Sequence, residues 1–183
     1  MIKKILFISV LLTLMLSRTN GQVYYTKNGS ASFFSKASLQ DIEANNNQVV
    51  SVLDIKTGSI QFSILNNAFH FPKAKMEEDF NEDYMESAKY PRSTFKGTVK
   101  DIDRVMLGRD GSYAVTVNGT IMIHGVSKNI TTPATIIIKN GRLSALATFN
   151  VMLQEFKIHI PTIVVDKIAE KIQVKINCNY EKK

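Results

Sequence analysis

The side chains able to do chemistry in this chain are few and scattered. Its three histidines are His70, His124 and His159. They lie far apart and none sits in a short metal-ligand motif, so no metal site is expected. Glu77, Glu78, Asp79, Glu82, Asp83 and Glu86 form an acidic run. Paired carboxylates can do acid–base work or hold a cation, but this run lacks the alternating layout of a calcium loop. It reads instead as the solvated face of an amphipathic helix. Serines are plentiful, yet there is no G-x-S-x-G elbow, no G-x-G-x-x-G and no phosphate loop. No catalytic residue and no cofactor is expected. His124 precedes Gly125 at a strand end, the place of a hydrogen-bonded turn residue. What is abundant is aromatic: Phe33, Phe34, Phe62, Phe69, Phe71, Phe80, Phe95, Phe149 and Phe156. Such side chains act by leaving water, either in a filled core or around an apolar ligand.

The elements that carry these residues are mostly strands. Asn28-Gly29 stands between β-like runs at 23–27 and 30–35 and predicts a hairpin, since both residues tolerate positive φ. Asp110-Gly111 introduces a long strand over 112–124, and Asn140-Gly141 separates strands at 129–139 and 142–151. Further strands are expected at 38–44, 49–55, 59–65, 93–102 and 171–180. Roughly eight to ten strands with short connections are the pattern of a sandwich or barrel. The fold class is all-β and mainly antiparallel.

Alternation says which face is apolar. Ile172, Val174, Ile176 and Cys178 oppose Lys171, Gln173, Lys175 and Asn177. By the same parity Phe95 and Val99 oppose Lys96 and Lys100, and Val115, Val117 and Ile121 share one face of 112–124. Gly119 within that strand predicts a bend or bulge. Cys178 is the only cysteine, so no disulfide framework is expected and the thiol reads as a small buried hydrophobe. One segment breaks the β rhythm. Met76, Phe80 and Tyr84, spaced i, i+4, i+8, predict a helix over 75–87, ended by Tyr90-Pro91. Phe69 and Phe71 lie on its approach.

The first residues are expected to be removed. Lys3 and Lys4 precede a twelve-residue run over 5–16 broken only by Ser9 and Thr13, and small or polar residues follow up to Gly21. That is the layout of a secretory signal peptide over 1–21, too short to span a bilayer, which needs about 20 apolar residues. The mature domain, 22–183, is not expected to be transmembrane. Its formal net charge falls from +7 to +4, because the segment removed holds Lys3, Lys4, Arg18 and no acid. The remaining cations are dispersed rather than gathered among aromatics, so no nucleic-acid partner is expected. Export places the protein in the periplasm or outside the cell.

Residues 76–97, MEEDFNEDYMESAKYPRSTFKG, are similar to the signature of the YceI-like family of exported lipid-binding proteins. The matching features are Met76, Phe80-Asn81, Tyr84-Met85-Glu86-Ser87, Lys89-Tyr90-Pro91 and Phe95-Lys96-Gly97. Two later stretches also resemble the family pattern: GTIMIHGVSK over 119–128 and ALATFNVMLQEFKIHIP over 145–161. In the first helix Asp79 replaces the family's usual basic residue or His, and Glu155 replaces its Asp. The resemblance implies a lipocalin-like eight-stranded antiparallel barrel, with the helix around 75–87 covering part of it. It also implies a long apolar lipid as partner, of the polyprenyl phosphate or quinone class, and no catalytic residues.

The expected ligand-binding residues are Phe62, Phe69, Phe71, Met76, Phe80, Tyr84, Phe95, Val115, Val117, Ile121 and Phe149. A lipid head group would meet Lys89, Arg92 or Lys96 at the mouth. An enzyme modifying such a lipid and a surface module with a filled core are the competing readings; homodimerisation is left open. The exported form is expected to begin at Gln22. Mass analysis of its N-terminus finding Met1 intact would overturn the export reading.

Overall fold

The structure, a computed structural model, describes residues 22–183, so the expected signal segment lies outside the described residues. Eight strands form one closed, wholly antiparallel barrel in sequence order: β1 (Val23–Lys36), β2 (Asp41–Asp54), β3 (Ser59–Leu65), β4 (Arg92–Lys100), β5 (Gly111–Ile123), β6 (Val126–Lys139), β7 (Arg142–Met152) and β8 (Lys171–Lys182). β1 pairs with β8 to close it. The barrel and its short helical cover agree with the expected fold class.

Turn chemistry explains the hairpins at both ends. Asn140 and Gly141 have φ of 51° and 72°, and His124 and Gly125 have 51° and 72°. Two consecutive left-handed residues make the tight turn whose twist matches antiparallel strands. These two-residue turns therefore join β6 to β7 and β5 to β6. His124 is the hydrogen-bonded turn residue expected of it.

Asn28-Gly29 is not a hairpin. Neither residue has positive φ, and β1 runs straight through them. The pair instead marks a β-bulge. Thr26 pairs with Ser51 and Gly29 with Val49, so β1 holds one extra residue there. The β8 ladder shows the same insertion, between Tyr25↔Glu181 and Ser30↔Asn177. A compensating extra residue lies on β2, where Gly29↔Val49 is followed by Ala31↔Asn46. Each bulge flips the inward parity of its strand. β2 buries Ala44 and Asn46, then Val49, Ser51 and Leu53. That flip makes one strand look like two, at 38–44 and 49–55. The backbone amide of Gln48 donates to Asn46 Oδ1 at 2.7 Å, a side chain serving the irregular backbone.

Gly119 does not mark a bulge either: the β4 and β5 ladders pass it without a register shift, pairing Gly97 with Gly119. The two glycines make room for an aromatic ring. A Cβ at Gly97 would stand 2.6 Å, and one at Gly119 2.5 Å, from Phe95 Cζ. The Phe95 ring thus lies flat over the glycine pair instead of projecting into the barrel.

The helical segment is shorter than the periodicity predicts. α1 (Ala74–Asp79) passes into a wider π turn (Phe80–Tyr84), and Glu86 at φ 43° ends it. The lower end of the barrel, carrying the turns at 55–58, 101–110 and 140–141, is filled. Leu53, Ile138 and Leu143 are buried there, and the Tyr180 hydroxyl is satisfied by Ser51 Oγ at 2.7 Å. Cys178 is fully buried and free, and burial pushes its thiol pKa up to about 12. Gly29 lies against it: an added Cβ would come 2.6 Å from Cys178 Sγ and 3.2 Å from Val49 Cβ. Gly29→Ala should therefore destabilise by about 1–3 kcal/mol through overpacking. In a Cys178→Ala background the penalty should shrink by at least about 0.5 kcal/mol. Denaturant melts of the four proteins in this cycle test it, and strict additivity would refute the contact.

Candidate functional site

The upper half of the barrel is hollow. It encloses a cavity of about 410 Å³ lined by side chains from all eight strands and from the helical segment. That volume falls within the usual range for small-molecule sites. An eight-stranded barrel is only just wide enough for its side chains to fill, so a hollow needs small residues. They occur together at one level. The ladders connect Val115 to Ala134, Ala134 to Ala147, Ala147 to Ile176 and Ile176 to Ala31. Three alanines within four adjacent strands leave the lumen open at that height.

All eleven residues expected from the sequence line this one cavity. Phe62, Phe95 and Phe149 come from β3, β4 and β7; Val115, Val117 and Ile121 from β5; the rest from the segment between β3 and β4. Four phenylalanines form the roof. Phe80 stacks on Phe33 at 5.5 Å and meets Phe69 and Phe71 at 5.6 and 5.1 Å. Such pairs contribute roughly 0.5–1.5 kcal/mol each beyond area burial. Phe33 also lines the cavity and was not among the expected ligand residues: it lies within the expected run 30–35, where Phe33 and Phe34 stand side by side and alternation does not say which faces inward. Leu153, Ile158, Val164 and Ile168, from the β7–β8 connection, line it as well. No alternation marks that connection, though its run of apolar residues was a signal.

Charged groups are nearly absent from the lining. Asp79 and Lys167 alone contribute to it among the described residues, and Asp79 Oδ1 is paired with Lys75 Nζ at 3.0 Å. Lys89, Arg92 and Lys96, expected at the mouth, do not line the cavity. Lys89 pairs with Glu86 and lies over the Tyr90 ring, Arg92 donates to Ser63 Oγ at 3.0 Å, and Lys96 stands on the outer face of β4.

Polar bonds fix the roof to the barrel. β3 leaves β2 beyond Val50↔Ser63, and the gap is spanned by His70, whose backbone exchanges bonds of 2.8 and 3.1 Å with Asn45. The buried Asn66 amide donates to the Tyr90 carbonyl at 2.6 Å and accepts from Ser93 Oγ at 2.8 Å. Asn46 Nδ2 donates to the Leu65 carbonyl at 2.8 Å. At the far side His124 Nε2 lies 2.7 Å from Glu86 Oε2, and its Nδ1 lies 3.1 Å from the Phe156 carbonyl. Both partners are acceptors, so a ring carrying both protons donates to each. The Tyr90 ring packs edge-on against the imidazole at 4.6 Å. One histidine thus ties together the helical segment, the β5–β6 turn and the β7–β8 connection.

The hydrogen bond from His124 holds the Glu86 carboxyl below its ordinary value of 4.5. A carboxyl with a depressed folded pKa stabilises the fold above its unfolded pKa, and that stabilisation is lost as pH falls through the folded value. Glu86→Gln should therefore be less stable than the parent near neutrality, with the gap narrowing as pH drops below about 4.5. Thermal melts across that range test it. A gap that stays constant into acid would dissociate the latch from Glu86 ionisation.

No curated protein matches the chain. Solved structures that share its fold include three of distinct origin. A polyisoprenoid binding domain from Saccharophagus degradans, implicated in plant cell wall breakdown, is 16% identical, with TM-score 0.78 over 89% of this chain and 99% of that one. BcnA from Burkholderia cenocepacia is 17% identical, with TM-score 0.68 over 84% and 96%. The YCEI protein of Campylobacter jejuni is 20% identical, with TM-score 0.60 over 76% and 85%. The family profile described as the YceI-like domain matches residues 18–180, nearly the whole chain. The chain belongs to the YceI-like family.

Proposed function

We propose that this protein is an exported, non-enzymatic carrier that holds one long apolar lipid of the isoprenoid class, for transport or storage. The observation that carries this reading is the hollow itself: about 410 Å³ walled by aliphatic and aromatic side chains, with charge confined to Asp79 and Lys167. A filled-core surface module would not keep such a space. The polyisoprenoid-binding description of the Saccharophagus structure supports the same ligand class here. An isoprenoid tail offers only apolar surface, so affinity must come from area removed from water. At about 0.8 kcal/mol per buried carbon, each five-carbon unit contributes up to roughly 4 kcal/mol before ordering costs. A few units give tight binding without a polar anchor. The expected signal segment supports placement in the periplasm or outside the cell.

Native mass spectrometry of protein purified from its own host should reveal a co-purifying lipid. Titration of the delipidated protein with a short isoprenol should show saturable uptake. Phe80→Ala removes the ring on which three aromatic contacts converge, and should weaken uptake by about tenfold, equivalent to ~1.4 kcal/mol, with the β circular-dichroism signal retained. Unchanged affinity in the folded variant would remove the helical segment from the site. No lipid and no uptake by the parent would overturn the carrier reading.

A further inference from the structure

A carrier of a water-insoluble lipid must load from somewhere, and the rim of the cavity bears on where. Among the described residues the two most exposed large apolar side chains are Ile163, 87% exposed, and Leu39, 72% exposed. Val165, 49% exposed, is a near neighbour. All three lie on two connections at the open upper end, β1–β2 and β7–β8. The connections are bound to each other: the Leu39 amide donates to the Asp166 carbonyl at 2.9 Å, and the Ala169 amide donates to Ser35 Oγ at 2.9 Å. A turn closed by the Ile168 amide on the Val164 carbonyl at 3.1 Å holds the tip in shape.

The exposed side chains interleave with residues that line the cavity. Val164, between Ile163 and Val165, faces the lumen, and so does Gln40, next to Leu39. One short stretch therefore wets its inner side chains with the cavity and points its outer ones at solvent. We propose that this rim inserts into the outer layer of a lipid bilayer, so that the cavity mouth opens onto the membrane during lipid exchange; this rests on the carrier reading above.

Two features select a bilayer over other occupants. Three side chains are far too small a surface for a stable protein interface, which buries about 800 Å² per partner. A bilayer demands no matching shape, only apolar groups that reach its acyl boundary. The charges also fit a neutral lipid surface. Lys36 is balanced by Asp41, and Lys157, Lys167 and Lys171 by Glu155, Asp166 and Glu170. The acidic α1 segment flanks the same mouth. Attachment by insertion should therefore need no anionic lipid and resist salt.

The test uses the chain from Gln22, which contains the whole barrel. It should co-sediment with phosphatidylcholine vesicles equally at low and high salt. Replacing Leu39 and Ile163 together by Ser should cut vesicle binding, and isoprenol transfer out of vesicles, by about tenfold or more. Isoprenol uptake from vesicle-free solution should be unchanged in that variant. The chain has no tryptophan, so an Ile163→Trp protein carries a single indole, excited apart from the tyrosines. Its emission should shift to the blue when vesicles are added. Emission that stays put, binding that needs phosphatidylglycerol and is released by salt, or self-association through the rim with no vesicle binding would each overturn the proposal. Failure of solution uptake in both proteins would instead strike the carrier reading, leaving vesicle binding to judge the rim by itself.

Discussion

The width left at the alanine level is the constraint on which the upper half of this protein depends. Eight strands fix the barrel's girth, so the lumen exists only where side chains are short. Ala31, Ala134 and Ala147 are short there, and Phe95 is turned against the wall by the Gly97–Gly119 pair. Below that level Leu53, Ile138 and Leu143 restore ordinary packing and give the barrel a solid floor. The same wall is thus a core at one end and a container at the other. The stability of the container rests on the floor and on the ladders, since the cavity wall lacks the contacts a filled interior would supply.

A hollow end needs a roof, and here the roof is anchored by polar bonds rather than by tight packing. Asn46 binds the Leu65 carbonyl at the end of β3, Asn66 the Tyr90 carbonyl just before β4, and His124 the Phe156 carbonyl in the β7–β8 connection. Their partners are fixed main-chain groups, so the aromatic roof over the cavity is set in position even though its underside faces empty space. The phenylalanines can then be held open, each in contact with its neighbours, instead of collapsing into the lumen.

Much of this was legible in the sequence. Parity placed Phe95, Val115, Val117, Ile121 and the last strand correctly, because a wall wet on one side and apolar on the other must alternate. Strand 59–65 emerges with the same bounds in the structure. Asn140-Gly141 was readable because its turn needs nothing from the rest of the fold. The misreadings have a common physical source. Asn28-Gly29 carries the chemistry of a turn, but β2 and β8 flank it on both sides and hold the strand extended, so the extra residue becomes a bulge. The bulge on β2 resets parity, which split that strand in two, and the adjacent Phe33 and Phe34 left the inward side of β1 undecided. The helix fell short of 87 because the stripe Met76, Phe80, Tyr84 is maintained through a π turn, which periodicity at 3.6 does not describe. The partners of His124 lie 38 and 32 residues away, beyond the reach of any local pattern.

The ladder between β6 and β7 begins only at Ala134↔Ala147, although β6 extends back to Val126. Pro133 stands at the point where the two strands part. Above it the β7-facing edge of β6 is left without a neighbour, and an unpaired edge is a template on which another chain can add a strand. Proline has no amide hydrogen to offer such a strand, and Lys128, five residues back toward the β5–β6 turn on that open edge, adds a charge that a stacked copy would repeat against itself. The opening in the wall is thereby kept from becoming a seed for aggregation. At the fork of two strands a single tertiary amide thus leaves an incoming copy without a donor to pair with.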